Sequence, residues 1–114
     1  MTRLILALAA MVALTTAALA HSKTDATTPA EGATVDTVEV IAMRFDDPMR
    51  ITAITLTGPD GEVDLVRETG FDPVMEFRGM PGGAVAPGAY TVEWRGLASD
   101  GHPMQGSFGF TVAD

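Results

Sequence analysis

The chain carries two histidines, and each stands where its chemistry could be used on a metal ion. His21 follows directly on Ala18-Leu19-Ala20 in the stretch AALAHSKTD. If the chain is cut after Ala20, His21 becomes the N-terminal residue. Its free α-amine and its own Nδ1 then close a chelate ring on one metal ion. Both are nitrogen donors of the kind Cu(II) prefers, in the tetragonal N/O geometry expected for Cu(II) or Ni(II). His102 lies in SDGHPMQG, two residues after Asp100. In an extended chain residues i and i+2 point to the same side, and Gly101 lets the backbone bend closely around a ligand. Amine, two imidazoles and a carboxylate make a donor set suited to Cu(II). Each feature alone is ordinary, since Asp-Gly-His-Pro also makes a turn without any metal. The joint site draws its weight from the two being the chain's only histidines.

The segment before His21 has the layout of a secretory signal. Arg3 supplies a positive start, Leu4 to Leu14 is an apolar run, and Ala18-Leu19-Ala20 gives small residues at the cleavage positions. The run is shorter than the ~20 residues of a spanning helix, and Thr15 and Thr16 interrupt it. Residues 1–20 are therefore expected to be a cleaved signal peptide and residues 21–114 one small domain of 94 residues. Without Arg3, six basic residues face fifteen acidic ones, a net charge of −9 with histidine neutral. Such a surface repels nucleic acid and anionic lipid, so neither is an expected partner, and cations are a more natural ligand. With no cysteine, disulfides and thiolate metal sites are excluded, and apolar packing has to hold the domain together.

The elements that would position these residues read as strands, with no convincing helix. TVEVIAMRF (Thr37 to Phe45) is rich in β-branched residues and ends at Asp46-Asp47-Pro48, and RITAITLTG follows, closed by Gly58-Pro59-Asp60-Gly61. EVDLVRE alternates as a half-buried strand does, and PVMEFRG sets Met75 and Phe77 on one face. MPGGAVAPG (Met80 to Gly88) reads as a loop. AYTVEWRGL places Tyr90, Val92 and Trp94 inward, and GSFGFTV aligns Phe108, Phe110 and Val112. With a short strand around Ser22 to Thr28, about seven strands at short spacing favour an all-β Greek-key sandwich.

From His21 onward the chain resembles the periplasmic copper-resistance protein C (CopC-like) family. The resemblance is carried by the N-terminal His21, TPAEGATV (Thr28 to Val35), MRFDDPM (Met43 to Met49), the long block GAYTVEWRGLASDGHPMQGSFGFTV (Gly88 to Val112), and termination just after that last strand. It implies a seven-stranded cupredoxin-like or immunoglobulin-like β-sandwich that binds copper in the periplasm. It also implies Cu(II) ligands at His21, Asp100 and His102, the residues already singled out by their chemistry. The family often carries an acidic residue after the first long strand, near the copper-bound amine. Asp47 occupies that place, with Asp46 the lesser candidate, and a carboxylate there would orient the amine by accepting its hydrogen bond. The alternative is that Asp46-Asp47-Pro48 only makes a turn. A membrane copper protein (CopD-like) is the partner the resemblance implies, and the domain is expected to be a monomer.

Some family members hold a second, Cu(I) site in a methionine-rich loop, since thioethers suit soft Cu(I). Here the loop region VMEFRGMPGGAVAPG offers only Met75 and Met80, and Met75 is expected to pack in the core with Phe77. The chain is thus expected to be of the Cu(II)-only type, with Met80 or Met104 the weak Cu(I) candidates. The function expected is Cu(II) sequestration, delivery or resistance without catalysis. One rival is an oxidative copper enzyme built on the same histidine chelate. Against it, Asp100 would occupy a position such catalysis leaves to an exogenous ligand, and Trp94 and Tyr90 read as internal rather than as a substrate face. The other rival is a metal-free sandwich serving as an interaction module. It predicts that copper changes neither the melting temperature nor the visible absorption.

Overall fold

A computed structural model describes residues 24–114, and over that range every regular element is a strand. They are β1 (Thr24–Thr28), β2 (Thr34–Val35), β3 (Ile41–Gly58), β4 (Gly61–Val63), β5 (Leu65–Arg67), β6 (Val74–Pro81), β7 (Gly88–Ala98) and β8 (Pro103–Val112). The hydrogen-bonded order is β2-β8-β7-β3-β6-β5, with β1 and β4 also on β3. The all-β Greek-key sandwich follows from how β3 is shared. Its first half pairs with β1 and β6, and its second half pairs with β4 and β7. The sheet therefore curls around one core, with β3 running through both halves.

The boundaries differ from those the sequence suggests. TVEVIAMRF and RITAITLTG are one 18-residue strand, because Asp46-Asp47-Pro48 bends β3 without ending it. Between Arg44↔Glu76 and Met49↔Val74, four residues of β3 face the single residue Met75 of β6. This extra length turns the chain from one half of the sandwich to the other. A second irregularity, between Ile51↔Gly96 and Ala53↔Arg95, inserts one residue and switches the inward set. Phe45, Met49 and Ile51 point inward before it, and Ile54 and Leu56 after it. EVDLVRE is not one strand either. Asp64 divides it into β4, which pairs with β3, and β5, which pairs with β6. The parallel pairing of β2 with β8, flanked by the Gly32 N–H to Gly109 O bond of 2.7 Å, has no alternation to announce it.

Phe77, Ile41, Met43, Met49, Ile51, Leu56 and Val92 are the most deeply buried side chains of the core. Phe45, from the first half of β3, meets Trp94 of β7 edge-on at 5.4 Å, which ties the two halves together. Gly96 of β7 lies close against β3, and a Cβ there would stand 2.6 Å from the Arg50 carbonyl oxygen. Arg67 holds the segment leading into β6. Its Nη2 donates to the carbonyls of Ile51 (2.8 Å) and Gly70 (2.9 Å), and its guanidinium lies 3.9 Å over the Phe71 ring. Arg50 Nη1 donates to the Phe71 carbonyl at 2.8 Å.

One expectation about the core is corrected. Met75 shares the inward parity of Phe77 yet is 50% exposed. The bent Phe45–Pro48 segment opposite it leaves no neighbouring strand residue to cover it.

Candidate metal centre

The β7–β8 hairpin presents Asp100 and His102 at one end of the sandwich. The ladder ends at Leu97↔Pro103, and the turn is closed by Gly101 N–H to Ala98 O (2.8 Å) and Ala98 N–H to His102 O (2.9 Å). Gly101 has φ +89°, a conformation that favours glycine because a Cβ would meet its own backbone there. The sequence places Asp100 and His102 on one side of an extended chain, whereas the structure brings them together across a turn. The His102 backbone N–H donates to Asp100 Oδ1 at 3.1 Å, and the ring Nδ1 lies 2.8 Å from Oδ2.

That second contact fixes what the ring can do. An ionised carboxylate only accepts, so Nδ1 carries the proton and a neutral His102 keeps its lone pair on Nε2. With the side chains 75% and 65% exposed, Nε2 is open to a ligand from solvent. The same contacts, the backbone N–H first and the ring second, hold the Asp100 carboxyl below its ordinary value of 3.8. Asp100 therefore stays charged at any pH where an imidazole is neutral. The small stability this anion confers is present above the ordinary value and is lost as pH falls through the lower folded one.

Asp47 comes to the same end by register. Met49 faces Ala98 in the end pair of the β3–β7 ladder, and Asp47 and Asp100 each lie two residues beyond that pair, Asp47 in the bent part of β3 and Asp100 in the turn after β7. Asp47 is exposed and makes no hydrogen bond or ion pair with another described residue. β1 enters beside them, with Thr24 opposite Phe45 and its N-terminal direction running along β3 toward Asp47. His21 lies outside the described residues. Among the described residues, no three histidine, cysteine, aspartate or glutamate side chains gather into a group able to hold a metal ion. Asp100 and His102 thus bring two potential donor side chains together, fewer than a closed metal site needs. Of the remaining sulfur candidates, Met80 is 39% exposed and Met104 packs partly against the core. Tyr90 and Trp94 are buried, so neither offers an aromatic face to a substrate. Nothing in the sequence announces the aspartate-to-ring contact, because spacing alone does not fix whether two side chains meet each other or a ligand.

Residues 24–113 match the family model described as the CopC domain. Copper resistance protein C of Escherichia coli is 28% identical over 106 residues, covering 83% of each chain. The crystal structure of PcoC, a methionine-rich copper resistance protein from Escherichia coli, superposes with a TM-score of 0.67 at 28% identity, covering 82% of this chain and 99% of that one. The crystal structure of CopC from Methylosinus trichosporium OB3b superposes with a TM-score of 0.69 at 26% identity, covering 82% and 94%.

Proposed function

The chain belongs to the CopC family, and from that premise we propose that it is an exported, periplasmic copper-binding protein that sequesters or delivers Cu(II). The observation that carries the reading is the exposed Asp100–His102 pair, which leaves Nε2 of His102 free at the end of the sandwich where β1 begins. Cleavage after Ala20 would free the His21 amine, and the amine with Nδ1 of the same residue would complete a three-nitrogen set. Asp100 would have to turn away from the His102 Nδ1 it meets in the metal-free protein to serve as the carboxylate donor, and Asp47 would accept a hydrogen bond from the bound amine and orient it. Nitrogen and carboxylate donors favour Cu(II) over Cu(I), so reduction would loosen the metal. The relatives' names as copper resistance proteins agree with this role. A membrane copper protein would be the natural recipient.

Copper is a cargo here, and no catalytic step is assigned to it. The oxidative alternative is weakened by the burial of Trp94 and Tyr90. Copper-loaded protein given ascorbate should form hydrogen peroxide no faster than a simple Cu(II) chelate does, and vigorous turnover would sink the non-enzymatic reading.

Titration of Cu(II) into the mature protein, followed by EPR, tests the proposal directly. His102→Ala is expected to weaken binding by at least about tenfold, since even the partners that only orient a metal ligand are worth about 10–100-fold in affinity. Because the side chain is exposed, the metal-free variant should keep its stability within ~0.5 kcal/mol. Unchanged affinity in that variant would exclude His102 as a ligand.

The pH dependence has a definite sign. Imidazole and amine bind metal only when deprotonated, so affinity should fall as the medium is acidified through their ordinary range of roughly 6–8. Asp100, already held as an anion, contributes nothing to that fall. Asp100→Asn is accordingly expected to weaken binding at every pH without moving the midpoint of the acid release. A midpoint that follows Asp100→Asn would show that the carboxylate itself is the titrating group.

A further inference from the structure

Among the described residues, four methionines divide into two classes that the sequence does not distinguish, and Met104, partly packed against the core, lies between them. Met43 and Met49 are completely buried, whereas Met75 and Met80 are 50% and 39% exposed. Met80 is exposed because it lies on the outer face of β6, across from Val66 of β5. Met75 is exposed for a different reason. It has the inward parity of Phe77, but the bent β3 segment opposite it, Phe45 to Pro48, leaves it uncovered. A flexible, unbranched thioether thus faces solvent across from the segment that carries Asp47, outside the sealed core.

We propose that Met75 is a site of reversible oxidation by hydrogen peroxide in the folded protein. A thioether lone pair attacks one peroxide oxygen. The S–O bond forms as the O–O bond breaks, and the departing hydroxide takes the proton of the transferred OH group and leaves as water. Sulfur loses two electrons to give methionine sulfoxide, and peroxide gains the same two. The product is polar and chiral, which would wreck packing at Met43 or Met49 but costs no core contact at Met75. Oxidation therefore replaces an apolar side chain by a strong acceptor at the end of the sandwich that bears Asp47, and the fold survives it. Methionine sulfoxide reductases reverse the change. None of this depends on bound copper.

The test uses the metal-free mature protein, treated with excess hydrogen peroxide for graded times and analysed by peptide mass spectrometry. Met75 is expected to acquire oxygen at least about tenfold faster than Met43 and Met49, because access of the oxidant to the sulfur sets the rate. Trp94 fluorescence should stay unchanged while Met75 reacts, and sulfoxide reductase should return the modified peptide to its original mass. Met75→Leu should abolish the fast modification in that peptide and leave Met80 reactive. The proposal is overturned if Met75 reacts as slowly as the buried pair. It is equally overturned if its oxidation proceeds only in step with loss of the native Trp94 signal.

Discussion

One extra residue placed before His21 is expected to weaken Cu(II) binding by about a hundredfold or more, ~2.7 kcal/mol. The extension changes no side chain of the proposed site. It converts the His21 amine into a peptide nitrogen, which is no longer a basic donor next to the imidazole, and the chelate ring is lost. The new terminal amine sits one residue away and has no ring nitrogen of its own with which to close. Measured by competition with a chelator of known affinity, the extended and native proteins should differ far more than either differs from itself on changing buffer. EPR should show fewer coordinated nitrogens in the extended form. Equal affinity and an identical spectrum would refute the N-terminal chelate while leaving Asp100 and His102 as ligands to be tested by the His102→Ala titration. The two experiments separate the halves of the site.

Phe77→Ala is expected to destabilise the metal-free domain by about 3–5 kcal/mol. Phe77 is completely buried on β6, packed in the core cluster with Met43 and Phe45 of β3, and the Arg67 guanidinium lies 5.1 Å from its ring centre. Truncation opens a cavity in the half of the sandwich that β1, β3 and β6 share. Domains of this size hold only about 5–15 kcal/mol in total, and with no cysteine in the chain no disulfide shares the load. At roughly 4–8 °C per kcal/mol the melting temperature should drop by more than ten degrees. Met75→Ala is the matched control, two residues away on the same strand and with the same parity. Being half exposed, it should cost less than about 1 kcal/mol. Similar losses at the two positions would contradict the exposure of Met75.

The β7 and β8 patterns were legible because each strand has one buried and one exposed face. Tyr90, Val92 and Trp94, and Phe108, Phe110 and Val112, are all buried as their alternation requires. β3 was harder to read. Asp46-Asp47-Pro48 has turn composition, but in this chain the residues bend a strand whose two halves find different partners. The one-residue insertion after Ile51 changes which face is inward without altering the apolar content of the segment. Asp64 looks like one more outward residue of an alternating strand, yet it is where the chain passes between halves of the sheet. At Met75 parity alone predicts burial, and only the length of the opposing segment shows that nothing covers it.

The sequence by itself determined the class of the fold, the family, and Asp100 and His102 as residues worth testing, because strand alternation, glycine turns and residue chemistry are local properties. The tertiary structure decided what those properties could not: that β3 serves both halves, that Asp47 and the Asp100–His102 turn lie at one end, and that Asp100 engages Nδ1 and leaves Nε2 free. The first two depend on register between strands far apart in the chain, and the third on the turn in which Gly101 takes a positive φ. A shift of one residue in that register would send the same side chains to the opposite face.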